Sequence, residues 1–167
     1  MAELLRKNYK VVVTIRSFSN CEKIAGLLDK TVIFNLDLEP LELVFQNNLI
    51  DVVIHTACDY GRDEDELLSV FEANLNFGIK VLDASIKHNV KTFINTDTTL
   101  SDKKNLYALS KKQFAQWLRR KSDCIQIINL QLEFIYGSKD AGSKLVPWLL
   151  SEFKSRSEKV ELTDGEQ

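Results

Sequence analysis

Tyr107 and Lys111 stand four residues apart in the run Tyr107-Ala108-Leu109-Ser110-Lys111. On a helix, that spacing places both side chains on one face. An ammonium beside a phenol favours the phenolate, so the tyrosine can give or take a proton nearer neutral pH. The same two residues also read as a solvated surface pair worth little to stability. Which reading holds depends on the elements that carry them.

Those elements alternate along the chain. Val11-Val12-Val13-Thr14-Ile15 is β-branched and continuous, the pattern of a strand buried on both faces. Asn20 caps a helix that runs to Leu28, and Thr31-Val32-Ile33-Phe34 is the next strand. Pro40 suits the first turn of a helix over Leu41 to Gln46, and Asp51-Val52-Val53-Ile54-His55 is a third strand. A long helix is expected from Asp63 to His88. Its acids Asp63, Glu64, Asp65 and Glu66 crowd the first turn, and Phe71, Leu75, Ile79, Leu82 and Ile86 form its apolar stripe. Lys91-Thr92-Phe93-Ile94-Asn95 is a fourth strand, Asn105 to Lys121 a helix, and Ile125 to Leu130 a fifth strand. Beyond Gly137 the pattern loosens: Ser143 to Phe153 suits a helix entered through Pro147, and Val160-Glu161-Leu162 a short edge strand.

Alternation of this kind predicts βαβ units, a parallel sheet and right-handed crossovers, hence helices on both faces. The polar residues Arg16-Ser17, Asp37, His55-Thr56 and Thr96-Asp97-Thr98 fall at strand ends. In such a sheet the ligand crevice lies outside the carboxyl ends of the strands.

Composition narrows the function classes. The 167 residues are 44% hydrophobic and 28% charged with a net charge of -2, which fits a globular domain with a true core. Both signs of charge are interspersed, so neither a nucleic-acid partner nor a membrane surface is expected. There is no apolar run of membrane-spanning length, and Cys21, Cys58 and Cys124 read as reduced thiols in a cytoplasmic protein. His55 and His88 are too isolated for a metal site, and none is expected.

The order Asp51-Val52-Val53-Ile54-His55-Thr56-Ala57, Asn74, Val81-Leu82-Asp83-Ala84-Ser85, Thr96-Asp97-Thr98, Tyr107-x-x-x-Lys111 and Tyr136-Gly137 resembles the extended short-chain dehydrogenase/reductase family. These are the NAD(P)-dependent nucleotide-sugar epimerases, dehydratases and ketoreductases. Phe93-Ile94-Asn95-Thr96-Asp97-Thr98, Trp117-Leu118 and Leu162-Thr163-x-Gly165-Glu166-Gln167 are similar to its CDP-abequose synthase-like branch. Those 4-ketoreductases act with NADPH on a CDP-linked dideoxysugar for O-antigen assembly in lipopolysaccharide. The resemblance implies a Rossmann-like doubly wound sheet and roles for individual residues. Tyr107 would donate a proton to the 4-keto oxygen. Lys111 would lower the phenol's pKa and bind the nicotinamide ribose. Thr98 would polarise the same oxygen. Asp37-Leu38 would meet the adenine, and His55-Thr56-Ala57 would lie beside the pyrophosphate and ribose. Asn74 would stand near the active site. The family also implies a nucleotide-sugar substrate and a homodimer through the helices around 71–86 and 105–121.

Each assignment has a structural counterpart. Thr98 reads as a turn or cap residue, Asp37 as a helix cap, Asn74 as polar surface, and His55 as a strand-end histidine that acts through its backbone. Arg16 separates the cofactors. The second strand of such folds ends in an acid for the ribose hydroxyl of NAD, or has an arginine nearby for the NADP phosphate. Ile15 occupies the acid position and Arg16-Ser17 follow, which predicts NADP, with NAD the other possibility.

The departures from the family matter as much. None of Gly26, Gly61, Gly78, Gly137, Gly142 and Gly165 forms the family's glycine-rich turn. The chain is therefore expected to lack the first strand, leaving the strands near Val12 and Val53 without a shared neighbour. Residues 1–137 are expected to form an incomplete cofactor domain and 138–167 the start of a substrate lobe, with little NADPH binding by 1–167 alone. Thr98 lies nine residues before Tyr107, a shorter gap than in relatives. Phe134 and Gln131 stand where many relatives have asparagine and arginine. Alternatives to a 4-ketoreductase are a 4-epimerase or dehydratase, an NADP-binding sensor, and a non-catalytic remnant or interaction module.

Overall fold

The computed structural model describes residues 1–61, 67–133, 135–137, 140, 142–156 and 159–160. The chain divides into two compact units, 1–133 and 134–167. In the first, short apolar runs form parallel strands joined by helices. The order is α1 (Ala2–Arg6), β1 (Val12–Ile15), a 3-10 turn (Glu22–Ile24) leading into α2 (Ala25–Leu28), β2 (Val32–Asn35), α3 (Leu41–Gln46) and β3 (Val52–His55). Then come α4 (Leu67–Phe71), a π-helical stretch (Glu72–Asn76), α5 (Phe77–Lys87), β4 (Thr92–Thr98), α6 (Leu106–Arg120) and β5 (Gln126–Leu132). The second unit contains α7 (Leu145–Ser155), with Pro147 in its first turn.

The fold is α/β and Rossmann-like, and every strand pairing is parallel. The strands fall into two sheets, β1–β2 and β3–β4–β5. Val12 lies opposite Val32 and Ile15 opposite Asn35 in the first sheet. In the second, Ile94 of β4 lies between Ile54 and Ile128. β1 and β3 do not pair with each other, as expected for two strands lacking a common neighbour. β4 is central, and Phe93 on it is fully buried with Phe114 of α6, beside Leu82, Val90 and Leu118. Gly78 of α5 lets the two helices approach: a Cβ there would come within 2.9 Å of the Phe114 ring.

Two local expectations change. The helix expected over 63–88 is interrupted, among its described residues, by the π-helical stretch Glu72–Asn76. Such a turn advances the helix face by an extra residue. The buried stripe therefore starts at Val70, Asn74 and Gly78, while Phe71 is exposed. The acids 63–66 lie outside the described residues, as do Glu161 and Leu162 of the expected edge strand; Val160 is not in a strand. Asn20 does not cap a regular helix. Its side chain accepts the Glu22 N–H at 2.9 Å, a local turn that opens the 3-10 segment.

Candidate active site

The end of β4 and the start of α6 bring three predicted residues together. Asn105 caps α6 by accepting the Ala108 N–H at 2.8 Å, which sets Tyr107 in the first turn. Thr98, the last residue of β4, turns its hydroxyl toward the Tyr107 phenol and works to lower its pKa. Its Oγ1 accepts the Leu100 N–H at 3.2 Å, which leaves the hydroxyl proton available to an acceptor in the site. One turn along α6, Lys111 is only 2% exposed. Its ammonium has no hydrogen bond among the described residues; Cys58 and Asp97 act on it electrostatically.

The electrostatics differ from the expected lowering of the phenol by Lys111. Burial pushes the Tyr107 pKa up, and Cys58, Tyr60 and Asp97 push the same way, while the Thr98 hydroxyl opposes them. Lys111 is pushed down, first by burial, with Cys58 and Asp97 opposing. The reason is environmental: burial disfavours the charged form of each group, and Cys58 and Asp97 act on both. The Tyr60 ring lies against Tyr107 with centroids 5.0 Å apart.

Asn74 is placed by the π-helical stretch and is 1% exposed. Its Oδ1 accepts the Asp59 N–H at 2.6 Å, and its Nδ2 donates to the Asp59 carbonyl at 2.8 Å and to Ser110 Oγ at 2.9 Å. Ser110 in turn donates to the Tyr107 carbonyl at 2.8 Å. Asp59 also accepts from Ser69 Oγ at 2.6 Å and from the Gly61 N–H at 3.0 Å. Asn74 thus ties the segment after β3, with Cys58 and Tyr60, to the helix that bears Tyr107. It is a buried clasp, not polar surface.

His55 points inward. Its ring packs against Phe77, Phe93 and Phe114 at 5.4 to 5.9 Å, and its Nε2 has no partner. Burial lowers its pKa to about 4, so the imidazole is neutral. Only its backbone faces the strand end, where its carbonyl accepts from Thr96 Oγ1 at 3.1 Å. Thr56 and Ala57 follow on the exposed surface.

A second cluster lies at the ends of β1 and β2. Asp37 accepts the Ser17 N–H at 2.7 Å and stands 3.6 Å from Arg16 Nε. The Ser17 bond, with Arg16, holds the Asp37 carboxyl below the usual carboxylate range. Asn35 Nδ2 donates to Ser17 Oγ at 3.1 Å, and the Arg16 guanidinium lies 4.7 Å over the Phe18 ring. Leu38 projects into solvent at 78% exposure. Arg16, Ser17 and Asp37 are therefore neighbours, and β1 and β2 set them apart from the Tyr107 cluster.

Several site residues were not expected from the sequence: Cys58, Asp59 and Tyr60 beside Tyr107, and Lys112 beneath Thr98; Asp97 was read only as one of the strand-end polar residues, with no role of its own. An acid closing a strand as apolar as Phe93-Ile94 was a usable signal for Asp97. The segment after β3 carried none, because its role comes from Asn74, fifteen residues on. Among the described residues there is no group of three or more His, Cys, Asp or Glu side chains fit to hold a metal. Nor is any helix there long and apolar enough to cross a membrane.

The sequence profile of the NAD dependent epimerase/dehydratase family matches residues 1–167. CDP-abequose synthase of Salmonella typhimurium is 30% identical over 142 residues, covering 80% of this chain and 47% of that protein. The fold is similar to the Bordetella bronchiseptica enzyme WbmG in complex with NAD, at a TM-score of 0.77 and 18% identity, over 93% of this chain and 55% of that one. It is also similar to the UDP-glucose 4-epimerase of Thermotoga maritima with UDP-glucose, at a TM-score of 0.71 and 18% identity, over 86% and 53% of the two chains. The chain spans about half the length of the curated relatives it matches.

Proposed function

The chain belongs to the NAD dependent epimerase/dehydratase family, and on that premise we propose that it carries the catalytic acid of a nucleotide-sugar oxidoreductase. The reaction is NADPH-dependent reduction of the 4-keto group of a CDP-linked deoxysugar. The observation that carries this reading is the Thr98 hydroxyl acting on the Tyr107 phenol at the end of β4, with Lys111 buried one turn further along α6.

The residues fit a nicotinamide cofactor in two respects. The buried Lys111 ammonium has no hydrogen bond among the described residues and suits a ribose hydroxyl. The Arg16 guanidinium, with its side chain 64% exposed, is free to meet a 2′-phosphate at the adenine end, beside Ser17, Asp37 and Leu38. The cofactor, when bound, supplies the hydride. The protein's share is proton transfer and alignment. Tyr107 Oη gives its proton to the substrate oxygen as charge develops there, and Thr98 Oγ1 donates to the same oxygen. A phenol with a raised pKa holds its proton until that moment, which suits an acid. Asn74 keeps Tyr60 and Cys58 beside the acid and so shapes the wall of the site.

A 4-epimerase would use the same tyrosine on a tightly held NAD. Arg16, in place of an acid, favours the NADPH reading. The face of α4 and α6 that exposes Leu68, Phe71, Leu109 and Trp117 supports a homodimer. The test is Tyr107→Phe in the intact protein: reduction of a CDP-4-keto-deoxysugar should fall by about two to four orders of magnitude. NADPH binding, followed by cofactor fluorescence, should stay near normal. Retained turnover would remove Tyr107 from the role.

A further inference from the structure

Asp97 is 3% exposed at the end of β4, beneath the Tyr107 cluster. Its Oδ1 accepts the Thr98 N–H at 2.7 Å, and its Oδ2 accepts from Asn129 Nδ2 at 2.9 Å. Asn129 Oδ1 accepts from Asn95 Nδ2 at 2.7 Å, so β4 and β5 are cross-linked behind the carboxylate. Lys112 reaches back from α6, with its Nζ 3.5 Å from Asp97 Oδ1. The same ammonium donates to the Thr98 carbonyl. Both backbone groups of Thr98 are thus held by one ion pair, the N–H by its anion and the C=O by its cation. A buried carboxylate is costly unless paired and hydrogen-bonded. Here its partners converge on a single residue of the proton-transfer site.

We propose that Asp97 and Lys112 are positioning residues: their ion pair locks Thr98 at the height where its hydroxyl meets Tyr107, and sets the local field at the phenol. Lys111 and Lys112, adjacent on α6, then divide the work. Lys111 is buried and has no hydrogen bond among the described residues, while Lys112 is committed to the strand end. The inference rests on the reading of Tyr107 and Thr98 as a working pair.

The groups that act on the phenol are Cys58 and Tyr60 from the segment after β3 and Asp97 and Thr98 from β4; Cys58 and Asp97 also act on Lys111 of α6, which in turn acts on the neutral His55. In the intact protein labelled with carbon-13 at tyrosine Cζ, the Tyr107 resonance is assigned by its loss in Tyr107→Phe. Asp97→Asn removes a negative neighbour, and the phenol midpoint should fall by about half a pH unit or more. Lys112→Met leaves Asp97 unpaired and releases Thr98, and the midpoint should rise by a similar amount, about half a unit. Lys112→Arg keeps the charge and should hold the midpoint near that of the parent protein. Loosening of the fold alone would move both variants the same way. Opposite shifts support the inference; shifts of one sign, or none, overturn it. Should one variant fail to fold, the sign of the other decides. The midpoint is read without turnover. An inactive parent protein would therefore count against the proposed reaction, and the shifts would still judge the ion pair.

Discussion

The two clusters of polar strand-end residues are built differently. At the ends of β3 and β4, polar groups are sunk in the core. Asn74, Asp97 and Lys111 are 1 to 3% exposed, and the hydrogen bonds of Asn74 and Asp97 run between separate elements. At the ends of β1 and β2, Arg16, Ser17 and Asp37 are joined to one another and to Asn35 of β2 near the surface. Burial excludes water and fixes geometry, which proton transfer needs. An exposed guanidinium can meet a phosphate without prior alignment. The contrast teaches that the proton-transfer end is preorganised by the chain's own core, while the Arg16 end is shaped mainly by what it would bind.

The largest test of that contrast is stability. Phe114 has no exposed surface, and its ring fills the space between Gly78, His55 and Phe93. Phe114→Ala should cost about 3–5 kcal/mol in urea unfolding, by lost burial and the cavity left behind. Ile33→Ala on β2, at 39% exposure in the parent chain, should cost about 1 kcal/mol. Equal losses would end the distinction between a rigid and an open half.

The next effect depends on pH. In the unfolded chain His55 titrates at its ordinary 6.5; in the folded chain burial lowers this to about 4. Between those values the unfolded chain binds the extra proton, so stability rises with pH across the window. His55 contributes fully above pH 6.5 and loses its contribution as pH falls toward 4, a swing of about 3 kcal/mol. The exposed cluster behaves otherwise. Asp37 is held below its ordinary 3.8, so its contribution is present above that value and lost only in stronger acid. Urea midpoints followed from neutral pH down to 4 should fall steadily, and His55→Leu should flatten that slope. An unchanged slope would mean that the imidazole does not stay neutral on folding.

The same contrast decided what the sequence could tell. The strands were legible because continuous β-branched runs have few other uses, and α6 because its cap and charges agree with its period. Tyr107, Lys111 and Thr98 were legible as a pattern, and the fold brings them together. The role of Asp97 and Lys112 was not: one lies on a strand and the other on a helix, and only the packing of α6 on β4 joins them. Asn74 was expected near the active site, with polar surface as the other reading; how it is held was not legible, because the π-helical stretch that carries it has no clear sequence mark. His55 was read as a strand-end residue acting through its backbone; that three phenylalanines remote in sequence enclose its ring was not legible.

The smallest structural effect should come with the sharpest functional one. Arg16 is anchored to the rest of the chain by Asp37 and the Phe18 ring, both near the surface. Exposed pairs of this kind contribute little, so Arg16→Asp should leave the urea midpoint where it was. Cofactor choice should change instead. A guanidinium binds phosphate through paired hydrogen bonds, and a carboxylate beside Asp37 would repel it. In the intact protein, titrated by cofactor fluorescence, NADPH affinity should fall by about ten- to a hundredfold while NADH changes by only a few-fold. Equal losses for both cofactors would show that Arg16 supports the strand end in general and does not read the phosphate. The open cluster would then be as structural as the buried one, and the contrast between the two ends would reduce to exposure alone.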